Sequence, residues 1–303
     1  MLSTDKITQI FCLVDDFCKK FDSIVDKKAI KEQSSIKRRN RAFTMSESEI
    51  ITIMILFHSG GQRILKDFYL TDIQKYLTSY FPKTVSYNRF VELQKKTVVK
   101  MALFLKTYCI GKCTGISFID STPLRACHIK REKQNKVFKG IAAKGQCSIG
   151  WFYGVKLHII INEKGELLDF MITPGNTDDR EPLKFKNFHK KIFGKLFGDK
   201  GYISQDLFEQ LFVDGVHLVT KPRKNMKNSL MHLKDKIYLR KRALIETVND
   251  QLKNICQIEH TRHRSFDNFI VNLLSGLIAY SLFDKKPSLN IEIIDNERLI
   301  AAA

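Results

Sequence analysis

The chain has 303 residues, 44% of them hydrophobic, and its 51 lysines and arginines against 32 acids give a net charge of +19. That length holds one large or two ordinary domains with an ample core, and the charge suits a polyanionic partner. No stretch approaches the roughly 18 apolar residues of a spanning helix, and the amino-terminal MLSTDKITQIFCLVDDFCKKF has acids inside its apolar region and no cleavage site, so a cytoplasmic protein without a membrane partner is expected. Residues 4–25 place Ile7, Ile10, Phe11, Val14, Phe17, Cys18 and Phe21 on one side of a helix. A polar, basic link covers 27–43. Ser46-x-x-Glu49 forms a capping box that opens an apolar helix through Phe57, and Gly60-Gly61 stops it. Helices near 64–79 and 87–108 follow, with Pro82 in the turn between them. Residues 1–110 therefore form an all-α domain.

Beyond Gly111 the pattern changes. Strands are predicted at 115–120, 152–162 and 166–173, the last two joined by a hairpin turn at Glu163-Lys164-Gly165. A helix at 180–193, a strand at 195–199, a helix at 204–213, a strand at 216–220, a long helix at 236–255 and an apolar helix at 266–283 complete a second domain, 111–285. Residues 286–303 form a tail. The seven cysteines are odd in number, lack a C-x2-C pair and suggest no disulfide framework.

Three acids stand where a metal site needs them. Asp120 ends the apolar run 116–119, KLFG delivers Asp199, and Glu246 lies in a helical stretch with Ala243, Val248 and Leu252 near one face. Two strand-end aspartates and a helical glutamate suit hard divalent cations; Mg²⁺ is held by few carboxylates and leaves room for substrate phosphates. Such a site supports phosphoryl transfer through two metals. Tyr238, Arg242, Glu246 and Lys253 share a helical stripe. Taken alone, that stripe is equally well read as a solvated face laced with ion pairs.

The motifs FIDSTPL, NKVFKG, WFYGVKLHIIIN, PGNTDDR, GDKGY and R-x3-E-x6-K occur in this order over residues 114–283. Together they resemble a DDE transposase of a bacterial insertion sequence, most similar to the 982 family within the group marked by a Tyr-Arg-Glu-Lys signature. Leu239 stands where that signature has its tyrosine, and Tyr238 is one position earlier. The resemblance implies an α/β fold, an RNase H-like mixed sheet flanked by helices and preceded by the all-α domain, and the order of predicted elements agrees. In that fold the first and fourth strands are neighbours, which would unite Asp120 and Asp199. It further implies Asp120, Asp199 and Glu246 as catalytic metal ligands, two Mg²⁺ ions for which Mn²⁺ can substitute, transposon-end and target DNA as partners, a homodimer on the DNA, and a nucleoid-associated location.

Two basic clusters fit DNA backbone contact. One includes Lys130, Arg131, Lys136 and Lys139; the other includes Lys221, Arg223 and Arg242. Arg242 and Lys253 are expected on phosphates flanking the scissile bond. The all-α domain, 1–110, is then expected to bind the element's DNA end or to serve in assembly, with Asn88 and Arg89, on the helix near 87–100, as the base-reading candidates. Asp179 is expected to cap the next helix, and Trp151 to pack at a strand edge. The competing functions are an end-binding repressor without catalysis and another RNase H-like nuclease.

Overall fold

The computed structural model describes residues 3–31, 44–222, 231–259 and 263–289. α1 (Thr4–Lys31) buries Ile7, Ile10, Val14, Phe17 and Cys18, a single stripe with helical spacing. Beyond Lys31 the expected basic link lies outside the described residues. α2 (Glu47–Ser59) opens on the expected capping box: Ser46 Oγ accepts from Glu49 N at 3.1 Å, and Glu49 Oε2 accepts from Ser46 N at 2.6 Å. Ile50 through His58 are all buried, so this helix is surrounded by protein. α3 (Leu65–Asp67) runs directly into π-helical turns over Phe68–Tyr76. The single helix expected over 87–108 is segmented into α4 (Tyr87–Gln94), a 3₁₀ turn Lys95–Thr97, α5 (Val98–Phe104) and a π turn Leu105–Cys109. At the first break the Thr97 hydroxyl donates to the Gln94 carbonyl at 2.8 Å, a back-bond of the kind that bends helices.

The sheet contains β1 (Ile116–Cys127), β2 (Ala143–Cys147), β3 (Gly150–Asn162), β4 (Leu167–Pro174), β5 (Gly194–Phe197) and β6 (Val216–Val219). β3 is antiparallel to β1 along one edge, and to β2 and then β4 along the other. β5 runs parallel to β1, and β6 parallel to β5. This is the RNase H-like mixed sheet. Successive residues of β1 face opposite cores: Phe118 enters one buried cluster and Ile119 the other. The first cluster holds α8 (Leu233–Lys241), α9 (Ala243–Asp250) and α10 (Phe266–Ser281) through Leu239, Val248 and Leu277. The second holds α6 (Lys186–His189) and α7 (Gln205–Val213) through Phe188 and Leu211.

Beyond Gly111, four elements differ from expectation. β1 does not stop at Asp120 but continues to Cys127, because β3 pairs with it that far. β2 is additional. Its Gly145 is required by close approach, since a Cβ there would lie 2.0 Å from the Gly175 carbonyl oxygen. The helix expected at 180–193 is a 3₁₀ turn Glu181–Lys184 followed by the four-residue α6, with Phe185 extended between them. The long helix expected at 236–255 breaks at Arg242 into α8 and α9, and α9 passes into a π turn Gln251–Ile255.

α10 joins the two parts of the chain. It packs against α2 and α5, and its Tyr280 hydroxyl donates to the Gly165 carbonyl in the β3–β4 turn at 2.6 Å. One buried cluster consequently contains Ile7 and Ile51 as well as Phe118 and Ile161.

Candidate active site

Adjacent parallel strands set the first two acids. Phe118 is paired with Phe197 in the β1–β5 register. Asp120 and Asp199 each lie two residues further along, so they leave that last pair at the same level. β5 ends there, whereas β1 runs on with one edge open. Pro123, which has no N–H to offer a neighbouring strand, is tolerated on such an open edge. Asp199 is exposed, and its Oδ1 accepts from Gly201 N at 2.6 Å, capping a 3₁₀ turn Lys200–Tyr202.

The third acid arrives from α9, which packs against β1 and buries Leu244, Ile245 and Val248. Its polar residues form a row beside the apolar one. Arg242 Nη2 bonds Glu246 Oε1 at 2.5 Å, while Arg242 Nη1 lies 3.9 Å from Asp120 Oδ1. Asn249 Nδ2 donates to Asp120 Oδ2 at 3.0 Å. The Asp120 carboxyl is pushed up to about 6 by burial, opposed by Arg242 and reinforced by the negative charges of Asp199 and Glu246. A cleft of about 390 Å³ opens beside these groups, lined by Asp199, Lys200, Lys221, Arg240, Arg242 and Glu246.

Hard oxygen donors of this kind fit Mg²⁺. Among the described residues no three acidic, histidine or cysteine side chains are already gathered into a coordination shell. The cation now balancing Asp120 and Glu246 is the Arg242 guanidinium. The donor chemistry suits a divalent ion, and the raised Asp120 carboxyl marks where added positive charge would be favoured.

The other anticipated residues spread more widely. Lys253 donates to the Pro123 carbonyl at 2.7 Å and pairs with Glu259 at 3.1 Å, so it braces the open edge of β1. Tyr238 lies against Phe197, ring centroids 5.3 Å apart, on the core side of α8. Lys130 and Arg131 are exposed on a 3₁₀ turn Ile129–Gln134, and Lys136 and Lys139 are exposed just after it. Phe138 anchors this basic segment by packing on Phe269 of α10. Arg89 is exposed on α4 and paired with Glu92 at 2.7 Å. Arg223 lies outside the described residues. Trp151 pairs in register with Gln146 of β2, is 58% exposed and has Lys144 over its ring.

Sequence reasoning missed two polar neighbours of the acids, Asn249 and Tyr202, and gave a third, Asp179, another role. Asn249 is three residues after Glu246, a spacing that places both on one side of a helix, so the signal was present. Tyr202 closes the GDKGY motif. Its hydroxyl is buried without a hydrogen-bond partner among the described residues, and burial together with Asp120, Asp179 and Asp199 raises it well above the ordinary tyrosine range. Asp179 does not cap a helix as expected. It accepts from Ser121 Oγ at 2.7 Å and Lys156 Nζ at 2.8 Å, because the short 3₁₀ turn begins after Arg180 instead.

The family model described as a transposase DDE domain matches residues 110–266. Among solved structures, the chain is similar to the piggyBac transposase synaptic complex with hairpin DNA, at 11% identity and a TM-score of 0.48, over 95% of this chain and 75% of that one. The Mos1 strand transfer complex aligns at 9% identity and a TM-score of 0.25, over 93% of this chain and 96% of that one. No curated protein matches the sequence.

Proposed function

Since the chain belongs to the transposase DDE domain family, we propose that it is the transposase of an insertion sequence of the 982 family, binding that element's terminal inverted repeats and catalysing metal-dependent DNA cleavage and strand transfer. The observation that carries this reading is that Asp120 and Asp199 each lie two residues beyond Phe118–Phe197, the last pair of two adjacent parallel strands, with the helix of Glu246 packed against β1. DDE domains generally use divalent ions; when bound, such ions polarise the attacking and leaving oxygens of a phosphodiester. Asp120, Asp199 and Glu246 would hold them, with Mg²⁺ as the natural ion and Mn²⁺ as a substitute.

The remaining residues bind and orient DNA. Arg242 offers a planar fork suited to phosphate oxygens. Lys221 lines the same cleft. Lys130, Arg131, Lys136 and Lys139 follow the backbone outside it, contributing affinity rather than sequence preference. Lys253 keeps β1 in place through the Pro123 carbonyl. Recognition of the element's end is assigned to α4, whose Asn88 and Arg89 carry groups able to read base edges. Because α10 covers α2, this assignment needs testing in the full chain with Arg89→Ala, not in a fragment ending near residue 110. Two such chains would act together, one on each element end.

The test supplies the full-length protein with Mg²⁺, linear DNA bearing the sequences that flank the gene, and a supercoiled target. Cleaved ends and a joined product are expected. Binding without cutting would make the chain a repressor, and cutting without joining would make it another nuclease.

A further inference from the structure

We infer that Asn249 is a positioning residue for the reaction: its side-chain amide fixes the orientation of Asp120 without neutralising it. The inference rests on the transposase reading. Asn249 is 7% exposed and lies on α9, in the row that also carries Arg242 and Glu246. A carboxylate only accepts hydrogen bonds, so the atom facing Asp120 Oδ2 at 3.0 Å is the amide nitrogen. The amide oxygen is then left over. It is buried and has no hydrogen-bond partner among the described residues.

That arrangement is poor for stability. An unmet buried acceptor costs about 1–3 kcal/mol, and an apolar side chain of similar size would avoid the cost. Asn249 therefore makes little sense as a packing residue and good sense as a donor to Asp120. The other group near this carboxylate, Arg242, is 3.9 Å away and already bonded to Glu246. It is also the group that DNA phosphates would draw off. A neutral amide holds the carboxylate when Arg242 leaves, and it keeps the full negative charge available to a cation. Partners of this kind orient metal ligands, and losing one costs about 10–100-fold in metal affinity or activity.

The full-length Asn249→Leu variant tests this. Its melting temperature should equal or exceed that of the unsubstituted protein. Its affinity for Mn²⁺, read by electron paramagnetic resonance of the free ion, should fall about 10–100-fold, and kcat for end cleavage should fall by a similar factor with KM for DNA unchanged. Unchanged Mn²⁺ affinity in the folded variant overturns the inference. If Asn249→Leu does not fold, Asn249→Ala is measured in the same way; failure of both to fold shows a structural role and also overturns it. If the unsubstituted protein binds Mn²⁺ but neither cuts nor joins DNA, the transposase reading fails, and the Mn²⁺ comparison still decides the role of Asn249.

Discussion

α10 buries Phe269 and every residue from Val271 to Tyr280, whereas α9, a few turns earlier, turns Arg242, Glu246 and Asn249 toward a half-buried aspartate. In the buried length of α10, Asn272 donates to the Ile258 carbonyl at 3.3 Å and Ser275 to the Val271 carbonyl at 2.6 Å; in its first turn the Asn268 amide oxygen is buried without a hydrogen-bond partner among the described residues. The seam between α9 and β1 is different. It holds a carboxylate shifted upward by burial and an amide oxygen with no hydrogen-bond partner among the described residues. One helix is arranged for packing, and the other sets its polar row against a carboxylate that burial penalises. Local rules broken in this way are expected at functional sites.

The largest stability effect should come from α10. Leu277 is fully buried, and Leu277→Ala should cost about 2–5 kcal/mol in urea unfolding. A loss below about 1 kcal/mol would break the contrast, since it would mean that α10 is loosely packed.

The seam should respond with the opposite sign. Native Asp120 holds its proton up to about pH 6, while an unfolded aspartate releases it near about pH 3.9. Between those values the native state binds more protons, so stability falls as pH rises through the window. Above it, the buried charge costs on the order of 1–3 kcal/mol. Asp120→Asn should therefore unfold at higher urea concentration than the unsubstituted chain near neutral pH, and should lose that advantage below about pH 4. The same ionisation predicts an affinity for Mn²⁺ that rises with pH through about 6, since a ligand carboxyl must lose its proton to bind the ion. An Asp120→Asn variant less stable at neutral pH would show that Arg242 and Asn249 more than offset the burial.

A smaller effect should mark the rim of the cleft. Lys221→Ala should lower the slope of log affinity against log salt by about 0.9 for any DNA. An unchanged slope with altered sequence preference would move Lys221 from backbone contact to base reading.

Much of this division was legible in the sequence, for reasons that can be named. The Ser46–Glu49 box and the Gly165 turn are local, and both formed as expected; Gly165 has a φ of +70°. The apolar runs ahead of Asp120 and Asp199 announced strands, and the strand order brought their ends together. Three features were hidden because they depend on distant partners. β1 extends past Asp120 only because β3 supplies a partner as far as Cys127. β2 reads AKGQC, which has no alternating apolar pattern, and its Gly145 is explained only by Gly175 across the fold. The long helix divides at Arg242, and Tyr238, expected in the polar row, packs on Phe197 instead. Asn249 was overlooked because an asparagine carries no charge to attract notice, although its helical spacing from Glu246 was plain.

The proposed transposase requires Asp120, Asp199 and Glu246 to form one chemical centre. That claim is tested most directly by the rate of end cleavage in Mg²⁺ for Asp120→Asn, Asp199→Asn and Glu246→Gln, with DNA retention in a gel shift measured on the same preparations. Each substitution should lower cleavage on the order of 10⁴-fold or more while retention persists. Cleavage near the unsubstituted rate by any one of the three would remove that acid from the centre and contradict the claim.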